Sequence, residues 1–303
     1  MKKFIVTAIQ GFCMALADSV PGVSGGTVAF ILGFYDKFIT SLNALVTKGA
    51  DKKEAIKFLG KLVVGWAIGL ILASLLLSNV FEAHIYAISS LFIGFILFAI
   101  PTIIKEEKEI LKGKYKYLFF TLIGIAVVAL LTFFNPTSGG GISVDVSSLN
   151  IGLCLYVFVV GMVAISAMIL PGISGSTILL ICGLYMPIIS SIKEVLHFQL
   201  SYLPVLIIFG FGVLTGIALI IKLVKKALDK YRAQTVYTIV GLMIGSLYAI
   251  VMGPTTLKVP QEAMNFGTFS IIFFIIGGLI IAGMEFAKYK LSDKNKEENK
   301  KEA

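Results

Sequence analysis

The chain has 303 residues, of which 57% are hydrophobic and 14% charged, a balance that excludes an ordinary soluble domain and describes a polytopic membrane protein. Its formal charge of +9 rests on lysines gathered between the apolar stretches, with Arg232 the one arginine and no aromatic interleaving, so the charge is not a nucleic-acid footprint. Cys13, Cys154 and Cys182 lie singly inside apolar runs without metal-ligand spacing and read as packing residues; no cofactor is expected.

Met1 to Ala17 has a basic start, an apolar centre and an Ala-x-Ala ending, the outline of a secretory leader. The stretch that follows, "DSVPGVSGGT" from Asp18 to Thr27, interrupts the apolar run with a proline, three glycines and three hydroxyl side chains. A further apolar limb reaches residue 46, so residues 4–46 form two limbs joined by this motif. Single helices are then predicted over 58–78, 85–104 and 117–134. A lysine-free linker, 135–150, leads to a second two-limbed segment, 151–192, and to helices over 203–221, 235–252 and 267–287, before a charged tail at 288–303.

Displacing the chain by 150 positions lays Pro21 on Pro171, Gly22 on Gly172, Ser24 on Ser174, Gly25 on Gly175, Thr27 on Thr177, Gly33 on Gly183 and Tyr35 on Tyr185. At 147 positions, Gly65 and Gly69 fall on Gly212 and Gly216, and Gly94 on Gly241. The chain is thus a duplicated unit, repeat one over 1–134 and repeat two over 151–287. Since Ala17 has its counterpart at Ala167, deep inside the chain, the first segment reads as part of repeat one and not as a cleaved leader.

Lysine and arginine set orientation. Segments 1–3, 48–57, 105–116, 222–232 and 288–303 carry 22 of them, whereas 79–84 and 135–150 carry none and 193–202 and 253–266 one each. The rich segments are expected on the cytoplasmic side with both termini, and the poor ones outside. An odd number of crossings then separates the two copies, which makes them inverted repeats, an architecture of many secondary transporters. The expected fold is all-α, each repeat a broken or re-entrant helical hairpin followed by three transmembrane helices. Limbs of about 16 to 20 residues fit either full spans or re-entrant tips; the marginal length favours tips that stop near the midplane.

At each tip, Pro21 or Pro171 ends the preceding helix, and Gly22 or Gly172 tolerates the dihedrals of the turn. Ser24 and Ser174 are good N-caps. The amides of Gly25, Gly26 and Thr27, and of Gly175, Ser176 and Thr177, become the donors of new helix N-termini, which suit a phosphate or carboxylate, with Ser19 adding a hydroxyl. Close packing alone explains the Gly65/Gly69 and Gly212/Gly216 pairs, but not proline with hydroxyls at both tips. Asp18 is replaced by Met168 in the second copy. A carboxylate beside an anion site must be protonated or bind a cation, so Asp18 is a candidate coupling residue for a proton or sodium ion. Asp36 and Lys37 are a candidate pair at the end of a limb. Arg232, with Lys225, Lys226 and Lys230, sets topology and is a candidate headgroup contact. His84 and His197 stand alone, without a nucleophile, base or metal constellation, so the sequence is not read as an enzyme.

The doubled motif, "ADSVPGVSGGTVAFILGFYDKFI" with its echo "ILPGISGSTILLICGLY", closely resembles the bacterial membrane family of polyprenyl-phosphate transporters, once filed as a domain of unknown function. The resemblance covers roughly residues 1–290. It implies a multi-pass protein of the bacterial cytoplasmic membrane that recycles undecaprenyl phosphate, the lipid carrier of cell-wall synthesis, from the outer to the inner leaflet. Within the resemblance only Asp18 to Thr27 and Pro171 to Thr177 are carried over as site residues. A small-anion or ion transporter or channel, and a lipid phosphatase, are the alternative readings. Oligomeric state is not legible.

Overall fold

Within hydrocarbon a backbone must satisfy its own N–H and C=O groups, and apolar stretches without a polar face do so as helices. The computed structural model describes residues 2–18, 23–48, 50, 52–73, 83–134, 150–257, 259–283 and 285–286, and no strand occurs among them. In the first half, α1 is Lys2–Asp18, α2 Gly25–Ile31, α3 Tyr35–Val46, α4 Lys52–Leu72, α5 Ile85–Glu106 and α6 Leu118–Phe133. In the second, α7 is Ile151–Ile169, α8 Gly175–Ile181, α9 Tyr185–Leu196, α10 Leu203–Lys230, α11 Arg232–Met252 and α12 Ile271–Gly283. Six described helices (α4, α5, α6, α7, α10 and α11) are long and apolar enough to cross a membrane. The bent pair of Gly175–Ile181 with Tyr185–Ile192 turns through 109° at its break, a broken or re-entrant element.

Among the described residues the lysine-rich segments are mostly helix instead of loop; the charged tail, 288–303, lies outside them. α4 already begins at Lys52, and α10 runs for 28 residues to Lys230, leaving Tyr231 alone before α11. At 1.5 Å per residue α10 is about 42 Å long against a hydrocarbon core of about 30 Å, so its last turns stand clear of the lipid. Lysine is a good helix former with a long stem, and nothing in Lys222, Lys225, Lys226 and Lys230 ends a helix once its ammonium groups reach water.

Packing repeats between the halves. α1 packs on α4 and α7 on α10. A Cβ on Gly65 would overlap the Ala8 carbonyl, and one on Gly212 would overlap the Phe158 carbonyl, the same positions in the duplicated register. These glycines let two backbones touch, which in lipid is the main source of helix–helix attraction. The closing helices pack crosswise: Gly94 of α5 lies against the Phe274 carbonyl of α12, and Gly241 of α11 against the Thr121 carbonyl of α6. Tyr35, Ile39, Ile96, Met243 and Ile250 belong to the largest buried cluster, which therefore draws on both halves.

Candidate functional site

The first tip begins where α1 stops at Asp18; Ser19 and Gly22 lie outside the described residues. Ser24 is extended (φ −128°, ψ 142°), and its Oγ accepts the Thr27 N–H at 3.3 Å, capping α2. In the second tip Ser174 is likewise extended (φ −99°, ψ 131°) before α8. Gly172 has φ 86°, and a Cβ there would sit 2.5 Å from the Leu242 carbonyl oxygen, so only glycine fits.

The two tips touch. The Gly172 N–H donates to the Thr27 Oγ1 at 2.7 Å, the Ser24 hydroxyl donates to the Leu170 carbonyl at 3.3 Å, and the Tyr35 hydroxyl donates to the Ile169 carbonyl at 3.2 Å. Three buried side chains of the first half thus satisfy backbone groups that the second break releases from helical pairing. A Cβ on Gly26 would stand 2.9 Å from the Ile169 oxygen, so the missing side chain allows this approach.

The N-termini of α2 and α8 differ in what already fills them. The Gly25 N–H donates to Asp18 Oδ1 at 2.7 Å, and Asp18 Oδ2 accepts the Trp66 Nε1–H at 3.3 Å. The chain's own carboxylate therefore sits on the start of α2. At α8 the corresponding residue is Met168, Ser174 and Ser176 bond to each other through their hydroxyls at 2.7 Å, and no side chain caps the helix. A small cavity beside it is lined by Val128, Thr132, Gly172, Ser174, Thr177 and Ala249.

A second interruption in each half escapes the Pro-Gly reading. α2 and α3 are separated at Gly33 (φ 70°), with Phe34 N–H donating to the Ala29 carbonyl at 3.0 Å. α8 and α9 are separated at Gly183 (φ 67°), with Leu184 N–H donating to the Leu179 carbonyl at 2.9 Å. Both are helix ends closed by a left-handed glycine. The paired Gly33/Gly183 and Tyr35/Tyr185 in the repeat alignment were the signal for them.

Arg232 finds its partners outside the two motifs. Its Nε donates to Glu107 Oε2 at 2.9 Å, its Nη2 to Glu107 Oε1, and its Nη1 to Asp36 Oδ2 at 2.8 Å. Asp36 thus pairs with Arg232 rather than with its neighbour Lys37, whose ammonium lies 4.6 Å from the Phe58 ring centre. A polar cavity next to the cluster is bounded by Phe30, Tyr35, Ile103, Glu106 and Glu107.

Long apolar helices around interrupted ones, with backbone polar groups at the break held by protein and not by lipid, define a polytopic membrane protein. The chain belongs to the undecaprenyl phosphate translocase-like family, whose description matches residues 14–267. It is 32% identical over 276 residues to a polyprenyl-phosphate transporter of Staphylococcus aureus, an alignment covering 91% of this chain and 94% of that one. A polyprenyl-phosphate transporter of Vibrio cholerae is 31% identical over 256 residues, 81% of this chain and 77% of its own. No solved structure matches the chain. Family and relatives alike carry the names of transporters, not enzymes.

Proposed function

We propose that this protein is a transporter of polyprenyl phosphate, and that it works as a flippase returning undecaprenyl phosphate from the outer to the inner leaflet of the cytoplasmic membrane. The observation that carries the reading is the meeting of the tips through the Gly172 N–H and Thr27 hydroxyl. It places two breaks with their hydroxyls and helix starts in one seam. A phosphate headgroup entering hydrocarbon unaided faces an idealised Born cost on the order of 20 kcal/mol. Donors at the seam would replace the water it loses while the polyprenyl tail stays in lipid. Ser24, Gly25, Gly26 and Thr27, with Gly172, Ser174, Gly175, Ser176 and Thr177, are the proposed headgroup contacts, together with Ser19 and Gly22. The start of α8, which no side chain caps, is favoured as the first donor set. Asp18 is the proposed coupling residue for a proton or sodium ion.

The proposed units are repeat one (1–134) and an inverted repeat two (151–287), with both termini cytoplasmic, rocking against each other. Lysine distribution supports the inversion, and the matching contacts of Gly65 and Gly212 support the duplication. The test is leaflet exchange of labelled undecaprenyl phosphate in liposomes with and without the protein, under imposed proton and sodium gradients. Protein-dependent exchange, stopped by a bulky residue at Gly175, is the expected result; unchanged asymmetry under every gradient refutes the reading. Movement of free phosphate but not of the lipid would establish the small-anion alternative.

A further inference from the structure

Asp18 is held from two sides. Its Oδ1 takes the backbone N–H of Gly25 at 2.7 Å, and its Oδ2 takes the indole N–H of Trp66, on α4, at 3.3 Å. Two donors and no acceptor face the carboxylate among these contacts, an arrangement that suits its charged form. The two bonds are unequal in kind. The Gly25 donor is fixed backbone at a helix start, whereas the Trp66 donor is the longer bond and sits on a side chain with two rotatable torsions.

The second half shows the same pair missing together. Under the 150-residue shift Asp18 becomes Met168, and under the 147-residue shift that matches Gly65 with Gly212, Trp66 becomes Val213. Where the carboxylate is absent, so is the indole, although the glycine contacts of α4 and α10 on either side are kept: Gly65 with Gly212, and Gly69 with Gly216. Packing of α4 on α1 thus does not require a tryptophan, since α10 packs on α7 with valine there.

We infer that Trp66 is a positioning residue for Asp18, fixing Oδ2 with its indole N–H so that the carboxylate is held in its charged form, and that protonation of Asp18 loosens the Trp66 bond. The inference rests on the proposed coupling role of Asp18 and specifies its ion as a proton. A proton on the carboxyl removes the negative charge to which the indole N–H is bonded, so protonation weakens that bond. Other titratable groups on the packed elements are few. α2 has none; those of α4 are Lys52, Lys53, Glu54, Lys57 and Lys61, all in its first ten residues; α1 carries Cys13 five positions before Asp18, besides Lys2 and Lys3 at its start; and on α3 Tyr35 is engaged with Ile169, Asp36 with Arg232, and Lys37 lies over Phe58.

Trp66 is the single tryptophan of the chain, so its fluorescence reports the surroundings of this one side chain. In liposomes of phosphatidylethanolamine and phosphatidylglycerol, the emission of the intact protein is titrated with pH beside that of Asp18→Asn. The expected result is a transition in the first that is lost in the second; no transition, or one that persists in Asp18→Asn, overturns the inference. Transport of labelled undecaprenyl phosphate by Trp66→Phe, which keeps the ring and removes the N–H, should then show its pH profile displaced upward by about one unit, the loss of one donor to a charged acceptor. An unchanged profile in Trp66→Phe, with the Asp18-dependent fluorescence transition present, overturns the positioning role while leaving Asp18 as the proton carrier. Wild-type transport by Asp18→Asn would remove the coupling reading itself.

Discussion

Replacing Arg232 with alanine should destabilise the protein chiefly through Glu107. The Glu107 side chain is 13% exposed and receives two N–H groups from Arg232, whereas Asp36 is 49% exposed and receives one. Breaking a fully buried pair costs about 3–5 kcal/mol, because the remaining charge is left desolvated. An exposed pair is worth about 0.2–1 kcal/mol. Arg232 itself is 33% exposed, so water screens part of the cluster, and the Glu107 contact falls between these limits at about 2 kcal/mol, with Asp36 near about 0.5 kcal/mol. For a chain of this size that corresponds to a fall in Tm on the order of 5 °C for Arg232→Ala, mostly reproduced by Glu107→Gln and hardly at all by Asp36→Asn. Arg232→Lys keeps the charge but loses the two-pronged contact, and should recover less than half of the difference. Thermal unfolding of the four variants in one detergent is the assay. Equal losses for Asp36→Asn and Glu107→Gln, or a lysine variant as stable as the wild type, would refute the reasoning.

Thr27→Val keeps the shape of the side chain but removes the acceptor of the buried Gly172 N–H, so it should cost about 1–3 kcal/mol in thermal unfolding, while Thr27→Ser stays close to wild type; equal values for the two would show the tip contact to be dispensable. On α10, Gly212→Ala should destabilise by about 1–3 kcal/mol because its Cβ meets the Phe158 carbonyl. Gly210→Ala, with nothing within 4 Å, should be neutral or slightly stabilising, and the same unfolding measurement compares them.

The long helices were legible because lipid leaves an apolar stretch no alternative to helical pairing, and because glycines such as Gly65 and Gly212 mark backbone contact wherever they fall. Helix ends were less so. Lysine marks the water boundary, not the end of a helix, which is why α10 continues through Lys222 to Lys230. At the site, the prolines announced the first break in each half, yet the bends at Gly33 and Gly183 passed as ordinary positions, since their one mark was the pairing of the two glycines in the repeat alignment. Partnerships across the chain were invisible altogether. Nothing local in Asp36 points to Arg232 almost two hundred positions away, and nothing in Asp18 points to Trp66; both were read beside their neighbours because sequence distance was the only distance at hand.

The Ser270 N–H reaches the Ser90 hydroxyl at 2.9 Å across 180 positions of chain, at the foot of the groove in which α12 covers Gly94 of α5. During synthesis, that groove faces lipid until the last described helix has entered the membrane, and the matching groove of α11 is closed by α6, made long before. Each half therefore holds the missing wall of the other, and neither could complete itself alone. A protein cut within 135–149 should still assemble when both pieces are made together, and the first piece made by itself should be a substrate for membrane proteases.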